Sequence, residues 1–372
     1  MSGPLGVVIT IVLFIIVLGG LVLVHELGHF ITARLAGVRV LEFGIGFPPR
    51  AKVLRAKGET LYTLNWMPIG GFVKLEGEDG DDAGDPRSFV RARLPTKMII
   101  LVAGVAMNLL TSFLIFTAIA WLATPFVGLR FSEVQPSSPA SGAGIRPGEA
   151  ILAVNSHQYE FFGNRDPLTD LSASAGQTVT VTIEGVDGKV RLETVTLRSQ
   201  AEIDASIGPD NRPTKGALGI SGLSERFYGS YSRDLPSAVG IGANQTIRWF
   251  GVILGGLGDL VTKFISNPTA PPPVSGPVGI ATQIADIFFG AGPILTLYVA
   301  GILSANLALV NILPFPPLDG GRMLMIALKS LFGARISLRA ERLTYVVGFV
   351  FLFAFLIWVT GFDIVRILSG GT

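Results

Sequence analysis

The chain has 372 residues, 49% of them hydrophobic and only 15% charged, with a mean hydropathy of +0.56. It is too apolar for an ordinary soluble enzyme and long enough for more than one unit. A net charge of +2 from dispersed basic residues offers no footprint for nucleic acid, and the absence of cysteine excludes disulfides and thiolate ligands, so any zinc must be held by histidine and carboxylate.

Residues 5 to 24 are uncharged and long enough for a hydrocarbon layer of ~30 Å. No positive region or small-residue cleavage pattern marks them as a signal peptide, so residues 1–37 read as a retained first transmembrane helix that stops at Gly37. Its last third carries VLVHELGHF, residues 22 to 30. Four apart on one helix, His25 and His29 share a face, about 40° out of register, and two imidazoles can meet one metal ion. Glu26 projects about 100° further round, which suits a carboxylate that touches a zinc-bound water rather than the zinc. The bland alternative is a His pair satisfied by its neighbours. Ionisable groups inside a membrane are costly, ~2.5–3.5 kcal/mol for an acid at the helix centre on insertion scales, and three together favour a bound metal, with zinc as the expected ion. Arg34, Arg39, Arg50, Lys52, Arg55 and Lys57 follow and predict that this helix end is cytoplasmic and the N-terminus outside.

Residues 38–97 read as a cytoplasmic loop. Within it, 61–76 (LYTLNWMPIGGFVKLE) predicts a β-hairpin turning at Pro68, Gly70 and Gly71. It is too short to span a membrane. It either dips beside the histidines, where a strand edge could pair with an extended substrate, or packs as a plain cytoplasmic hairpin. An acidic loop, EGEDGDDAGD, fills 76–85, and a second span follows at 98–124. Asn108 in that span faces the site or acts as interhelical adhesion, the latter being the simpler reading. Residues 126–225 change to alternating strands with glycine and proline and predict a soluble, mostly β domain, in which His157 reads as a surface residue. There VQPSSPASGAGIRPGEAILAVNS, 134–156, resembles the PDZ domain in its bacterial, circularly permuted form, which implies recognition of peptide segments or chain ends by strand addition. Residues 226–291 predict extracytoplasmic amphipathic helices on the outer leaflet and a Pro-rich linker.

A third span is expected over 292–332. It is interrupted by the prolines of NILPFPPLDGG, 311–321, after which Asp319 opens a new helical stretch. Asp319 is an N-cap, a third zinc ligand, or both. Lys329, Arg335, Arg339 and Arg342 put this end on the cytoplasmic side too, so the proposed ligands can meet. A fourth span at 341–362 returns the C-terminus outside. The fold class expected is a polytopic α-helical membrane protein of about four spans with a membrane-associated β-hairpin and an inserted β domain.

In HELGHFITARLAGV at 25–38, GGFVKLEGE at 70–78, SGPVGI at 275–280 and NILPFPPLDGG at 311–321, the chain resembles the site-2 protease family of intramembrane zinc metalloproteases, most closely its bacterial regulator of sigma-E protease branch. The resemblance implies that His25, His29 and Asp319 ligate zinc, that Glu26 is the catalytic base, and that Asn311 helps position substrate. It also implies substrate contact by the β-segment at Gly70, Gly71 and Phe72. The implied location is the bacterial inner membrane, with the N-terminus, the PDZ domain and the C-terminus extracytoplasmic and the site toward the cytoplasm. The implied partners are the lipid bilayer and single-span membrane proteins or remnant signal peptides as substrates. Three departures stand out. Gly104-Val105-Ala106-Met107-Asn108 lacks the proline that relatives often carry in the second span, Gly46-Phe47-Pro48-Pro49 replaces Gly-Phe-Gly-Pro, and there is room for one PDZ domain rather than two.

Overall fold

The computed structural model describes residues 3–56, 58–78, 85–208, 211, 213–267, 271–333 and 338–369. Most of the acidic loop, Lys57 and Arg335 therefore lie outside the described residues. Two compact units emerge, one built from 1–117 with 242–372 and the other from 118–241.

The first unit begins with α1 (Pro4–Phe14) and α2 (Gly20–Leu35), joined without a break by a π-helical turn at Ile15–Gly19. Strands β1 (Val40–Arg55) and β2 (Leu61–Leu75) pair antiparallel in a two-stranded sheet, and each is bent. Glu42–Ile45 partners both Leu61–Leu64 and Gly71–Lys74, while Arg50–Arg55 partners Tyr62–Asn65. The hairpin expected within 61–76 is therefore corrected. The chain does bend near Gly70, where φ is 83°, but its two arms pair with β1 lying between them and not with each other. Alternation of side chains defines a strand and is silent about its partner, which is why the sequence reading closed the arms on one another.

Helix α3 (Leu94–Leu122) is continuous, so the missing proline leaves no break. The second unit holds β3 (Thr124–Val134), α4 (Pro139–Gly142), β4 (Ala150–Val154), β5 (His157–Gln158), α5 (Pro167–Ala173), β6 (Thr178–Glu184), β7 (Val190–Thr196), α6 (Gln200–Asp204) and β8 (Ile220–Tyr231). Its sheet runs β7-β6-β4-β3-β8, with β5 paired to β4, and reaches slightly beyond the expected 126–225 at both ends. The core is made by inward residues of alternating strands, among them Phe131, Ile151, Val181 and Ile183, packed with Leu171 of α5. His157 is exposed on β5.

The chain continues through α7 (Leu235–Ser266), α8 (Pro277–Ala291), α9 (Pro293–Ile312), α10 (Asp319–Phe332) and α11 (Leu338–Leu368). Among the described residues, five helices are long and apolar enough to cross a membrane, against the four expected: Pro4–Leu35, Leu94–Leu122, Leu235–Ser266, Pro293–Ile312 and Glu341–Leu368. The additional one, α7, is a single long helix in the region expected to hold amphipathic helices on the outer leaflet. Arg248, Asp259 and Lys263 fall within about 60° of one another at 100° per residue, so one polar stripe runs along an otherwise apolar rod.

Candidate active site

Gly20–Leu35 presents His25 and His29 on one face, both buried. The third group arrives from far along the chain. Helix α9 ends at Ile312, Pro314, Pro316 and Pro317 prevent its continuation, and α10 restarts at Asp319. The restart is tight, because a Cβ on Gly320 would lie 2.2 Å from the Ile312 carbonyl oxygen and one on Gly321 2.5 Å from the Phe315 carbonyl carbon. Two glycines after Asp319 are thus a packing requirement.

Asp319 Oδ2 lies 2.8 Å from His25 Nε2 and 3.2 Å from His29 Nε2, and the two Nε2 atoms are 3.1 Å apart. A tetrahedral zinc with bonds of ~2.0–2.1 Å has ligand–ligand edges of about 3.3–3.4 Å. The three donors fit such an ion after shifts of a few tenths of an ångström and leave a fourth position for water or substrate. Among the described residues this is the one group of three or more His, Asp or Glu side chains able to share a metal.

The imidazoles are oriented from behind by α3. His29 Nδ1 is 2.8 Å from the carbonyl oxygen of Ile100. A carbonyl only accepts, so Nδ1 carries the proton and Nε2 offers its lone pair to the metal. Gly104, one turn on from Ile100, has no side chain to cover that carbonyl, and a Cβ there would meet His29 Nε2 at 2.4 Å and His25 Cε1 at 2.7 Å. Asn108, fully buried, puts its amide nitrogen 3.3 Å from His25 Nδ1, while its Oδ1 is buried without a partner. Turning the carboxamide over would bring Oδ1 onto Nδ1–H and give His25 the same tautomer as His29. Asn108 therefore touches the site, against the simpler reading of adhesion alone. Gly28 lets α2 approach α3 closely, since a Cβ there would lie 2.4 Å from the Ala103 carbonyl oxygen.

A cavity of about 180 Å³ opens on two of the three donors, His29 and Asp319, and Glu26, Gly71, Phe72, Glu78 and Arg322 line it with them. The bend of β2 lies against α2 here. A Cβ on Gly71 would be 3.9 Å from Glu26 Cγ, and one on Gly70 would be 2.9 Å from Val22 Cγ1. Gly71 and Phe72 thus share the cavity with Glu26, Gly70 sits behind them against Val22, and Asn311 stands on the last turn of α9 outside the residues that line it. The sequence reading missed Gly104, the Ile100 carbonyl and Arg322. The glycine of the second span was the available signal, and only the position of its neighbours gives it meaning.

A family model described as "Peptidase family M50" matches residues 13–355. Among curated proteins, the zinc metalloprotease RasP of Geobacillus kaustophilus is 27% identical over 95% of this chain and 97% of its own length. The protein all3971 of Nostoc sp. is 30% identical over 91% of each chain, and eep of Enterococcus faecalis is 26% identical over 96% of this chain and 99% of its own length. A metal-competent His-His-Asp group beside a carboxylate, on long apolar helices, together with a family match over nearly the whole sequence, shows that the chain belongs to peptidase family M50, the site-2 proteases, and is a zinc metalloprotease.

Proposed function

We propose that this enzyme cuts peptide bonds within or beside transmembrane segments of single-span membrane proteins or remnant signal peptides. The observation that carries the reading is the depth of the site: His25, Glu26 and His29 lie some twenty residues into an apolar helix, and Asp319 joins them at a break between helices rather than in a soluble domain. Zinc, when bound by His25, His29 and Asp319, supplies Lewis acidity toward the peptide carbonyl and lowers the pKa of water. Glu26, which lines the cavity without being one of the three donors, takes the proton of the attacking water and returns it to the leaving amine.

A helical substrate has its carbonyls committed to internal hydrogen bonds and must open locally to be cut. Gly71 and Phe72, on the strand beside Glu26, offer backbone to such an extended segment, with Gly70 holding the bend against α2. Asn311, at the end of α9, is assigned to the outer part of the same substrate path. The 118–241 unit is assigned the role of a PDZ-type reader of peptide segments or chain ends, on the strength of its Ser-Pro-Ala and Gly-Ile-Arg-Pro-Gly-Glu motif and an antiparallel sheet with helices packed against its core.

The membrane placement follows from the basic clusters: N-terminus, reader domain and C-terminus outside the inner membrane, zinc site toward the cytoplasm. Because Asp319 returns to the depth of His25, the chain makes a net single crossing between Leu122 and Asp319. Helix α9 supplies it. Trp249 of α7 hydrogen-bonds Tyr298 in the first turns of α9, and Phe264 meets Trp358 well along α11, so α7 is assigned to the outer leaflet, lying along it rather than crossing.

The test is zinc content and cleavage in detergent-purified protein. Glu26→Gln is expected to keep near one zinc per chain and lose ~10²–10⁴-fold in cleavage, the range for a general base. Asp319→Ala is expected to lose zinc and cleavage together. Turnover by Glu26→Gln close to wild type would remove Glu26 from the base role, and unchanged zinc in Asp319→Ala would reduce Asp319 to a helix cap.

A further inference from the structure

Beside the zinc site lies a second, larger cavity of about 1110 Å³ within the same unit. Among the described residues five basic side chains line it, Lys74 of β2, Lys97 of α3, Arg322 and Lys329 of α10 and Arg342 of α11, against two acidic ones, Glu78 and Glu341. Lys329 is paired with Glu341 and Arg322 with Glu78, and neither Lys74 nor Lys97 has an acidic partner among the salt bridges of the described residues. Lys97 Nζ donates 2.7 Å to the Val90 carbonyl and stands over the Phe89 ring. The site cavity and this one share a wall: Phe72, Val73, Glu78 and Arg322 line both. Arg322 is three residues after Asp319 and so projects from nearly the same face of α10, while Glu78 is braced from behind by the Leu75 N–H at 2.9 Å.

The charge on the two sides of that wall is unequal. The site cavity is lined by Glu26, Glu78 and Asp319, with Arg322 the one permanent cation among the described residues there. Hydrolysis breaks the C–N bond, adds hydroxide to the carbonyl carbon and a proton to the leaving nitrogen. One fragment therefore ends in an α-carboxylate that is anionic at neutral pH, since such groups ionise near ~3.3–3.7. That anion is repelled by Glu26 and Glu78, and apart from the metal itself the side chain that matches it there is Arg322, a guanidinium able to hold it by two parallel hydrogen bonds.

We propose that the basic cavity receives this newly formed α-carboxylate, and that the Arg322–Glu78 pair is the latch through which it passes. The product carboxylate takes Glu78's place on Arg322, the wall opens, and Lys74 and Lys97 draw the chain end into the cavity and away from the zinc. The inference rests on the hydrolytic reading of the site and names the product group that the protein recognises.

The probes are one fluorescein-labelled apolar peptide ending in a free carboxylate and the same peptide ending in a carboxamide, titrated onto full-length, zinc-loaded Glu26→Gln protein in neutral detergent and followed by anisotropy. The carboxylate form is expected to bind at least tenfold more tightly than the amide. In Lys74→Gln/Lys97→Gln, whose substitutions sit in the wall of the larger cavity, the ratio is expected to fall below threefold, and Arg322→Gln should abolish it. Equal binding of the two peptides overturns the proposal, as does a preference unchanged in the lysine pair, which would put the carboxylate on the zinc alone. Binding of phosphatidylglycerol micelles that needs Lys74 and Lys97, with no carboxylate preference in the peptides, would make this a lipid site and also overturn it. Turnover by protein without the Glu26 change separates the two readings: cleavage without carboxylate preference removes only the exit, whereas a chain that binds zinc and never cleaves removes the protease reading itself.

Discussion

A methyl group at position 104 would sit within 2.7 Å of both imidazoles, at His29 Nε2 and His25 Cε1. Gly104→Ala is therefore expected to splay the histidines and release zinc while α3 remains helical, since alanine is the better helix former by ~1 kcal/mol. Zinc per chain beside far-ultraviolet circular dichroism checks this, and full zinc with unchanged helicity would mean that the rings have room to retreat. At this scale the sequence exposes whatever is local. His25, Glu26 and His29 could be read because a helix fixes the geometry of neighbouring residues, and the structure has His25 and His29 buried on one face with Glu26 half-buried beside them. The Ile100 carbonyl behind His29 is 71 residues away and Asn108 behind His25 is 83 away, so no spacing rule reaches them. Asn108 looked like adhesion because a polar residue in an apolar span is equally consistent with both roles.

One buried carboxylate ties α11 to the start of α8. Asp363 of α11, 1% exposed, accepts the backbone N–H groups of Gly276 at 3.2 Å and Gly279 at 2.8 Å at the start of α8. It satisfies donors that a helix N-terminus leaves without partners and meets the positive end of the helix dipole. Asp363→Ala strands two buried N–H groups at ~1–3 kcal/mol each, so a clear drop in the thermal midpoint in detergent is expected, with Asp363→Asn falling less. An unchanged midpoint would mean that α8 is held elsewhere. In the β unit, Glu149 receives Arg191 through two bonds of 2.8 Å. Burial alone would raise its pKa, but those bonds and the Arg146 N–H outweigh it and hold the carboxyl below the ordinary glutamate value. Because the folded pKa is the lower one, the contribution is complete above ~4.3, the unfolded value, and fades as pH falls through the folded one. Protection of the β4, β6 and β7 amides against hydrogen exchange, corrected for intrinsic rates, should decline on acidification in wild type and less steeply in Glu149→Gln. Parallel pH profiles would remove the pair from that role. Elements were legible wherever hydrophobic period and length agreed, as in α3 and α9. They were misread where partner choice mattered, as in β2.

For the molecule as a whole, the decisive contact joins residues 294 apart, His25 and Asp319. Basic clusters near both indicated that the two segments end on one side of the membrane, which made their meeting possible; the contact itself depends on the prolines that stop α9 and the glycines that let α10 restart at once. A metal bound across so long a loop stabilises the folded state by ~2.7 kcal/mol at a hundredfold excess over its dissociation constant. Stripping zinc with a chelator is accordingly expected to raise exchange in α2 and the start of α10 together, with little change in β4 and β6. Rises confined to one of the two segments would mean that they do not share the ion.

The π-helical turn at Ile15–Gly19 stands between the leading apolar segment and the site. Such turns carry one residue more than the α-helix they interrupt, and each residue advances a helix by 100°. The leading segment and the catalytic face are thus set out of phase by a fixed step, and losing that one residue would swing His25, Glu26 and His29 toward a different neighbour without altering a single side chain. What is constrained over those five positions is how many residues there are, more than which apolar residues they happen to be.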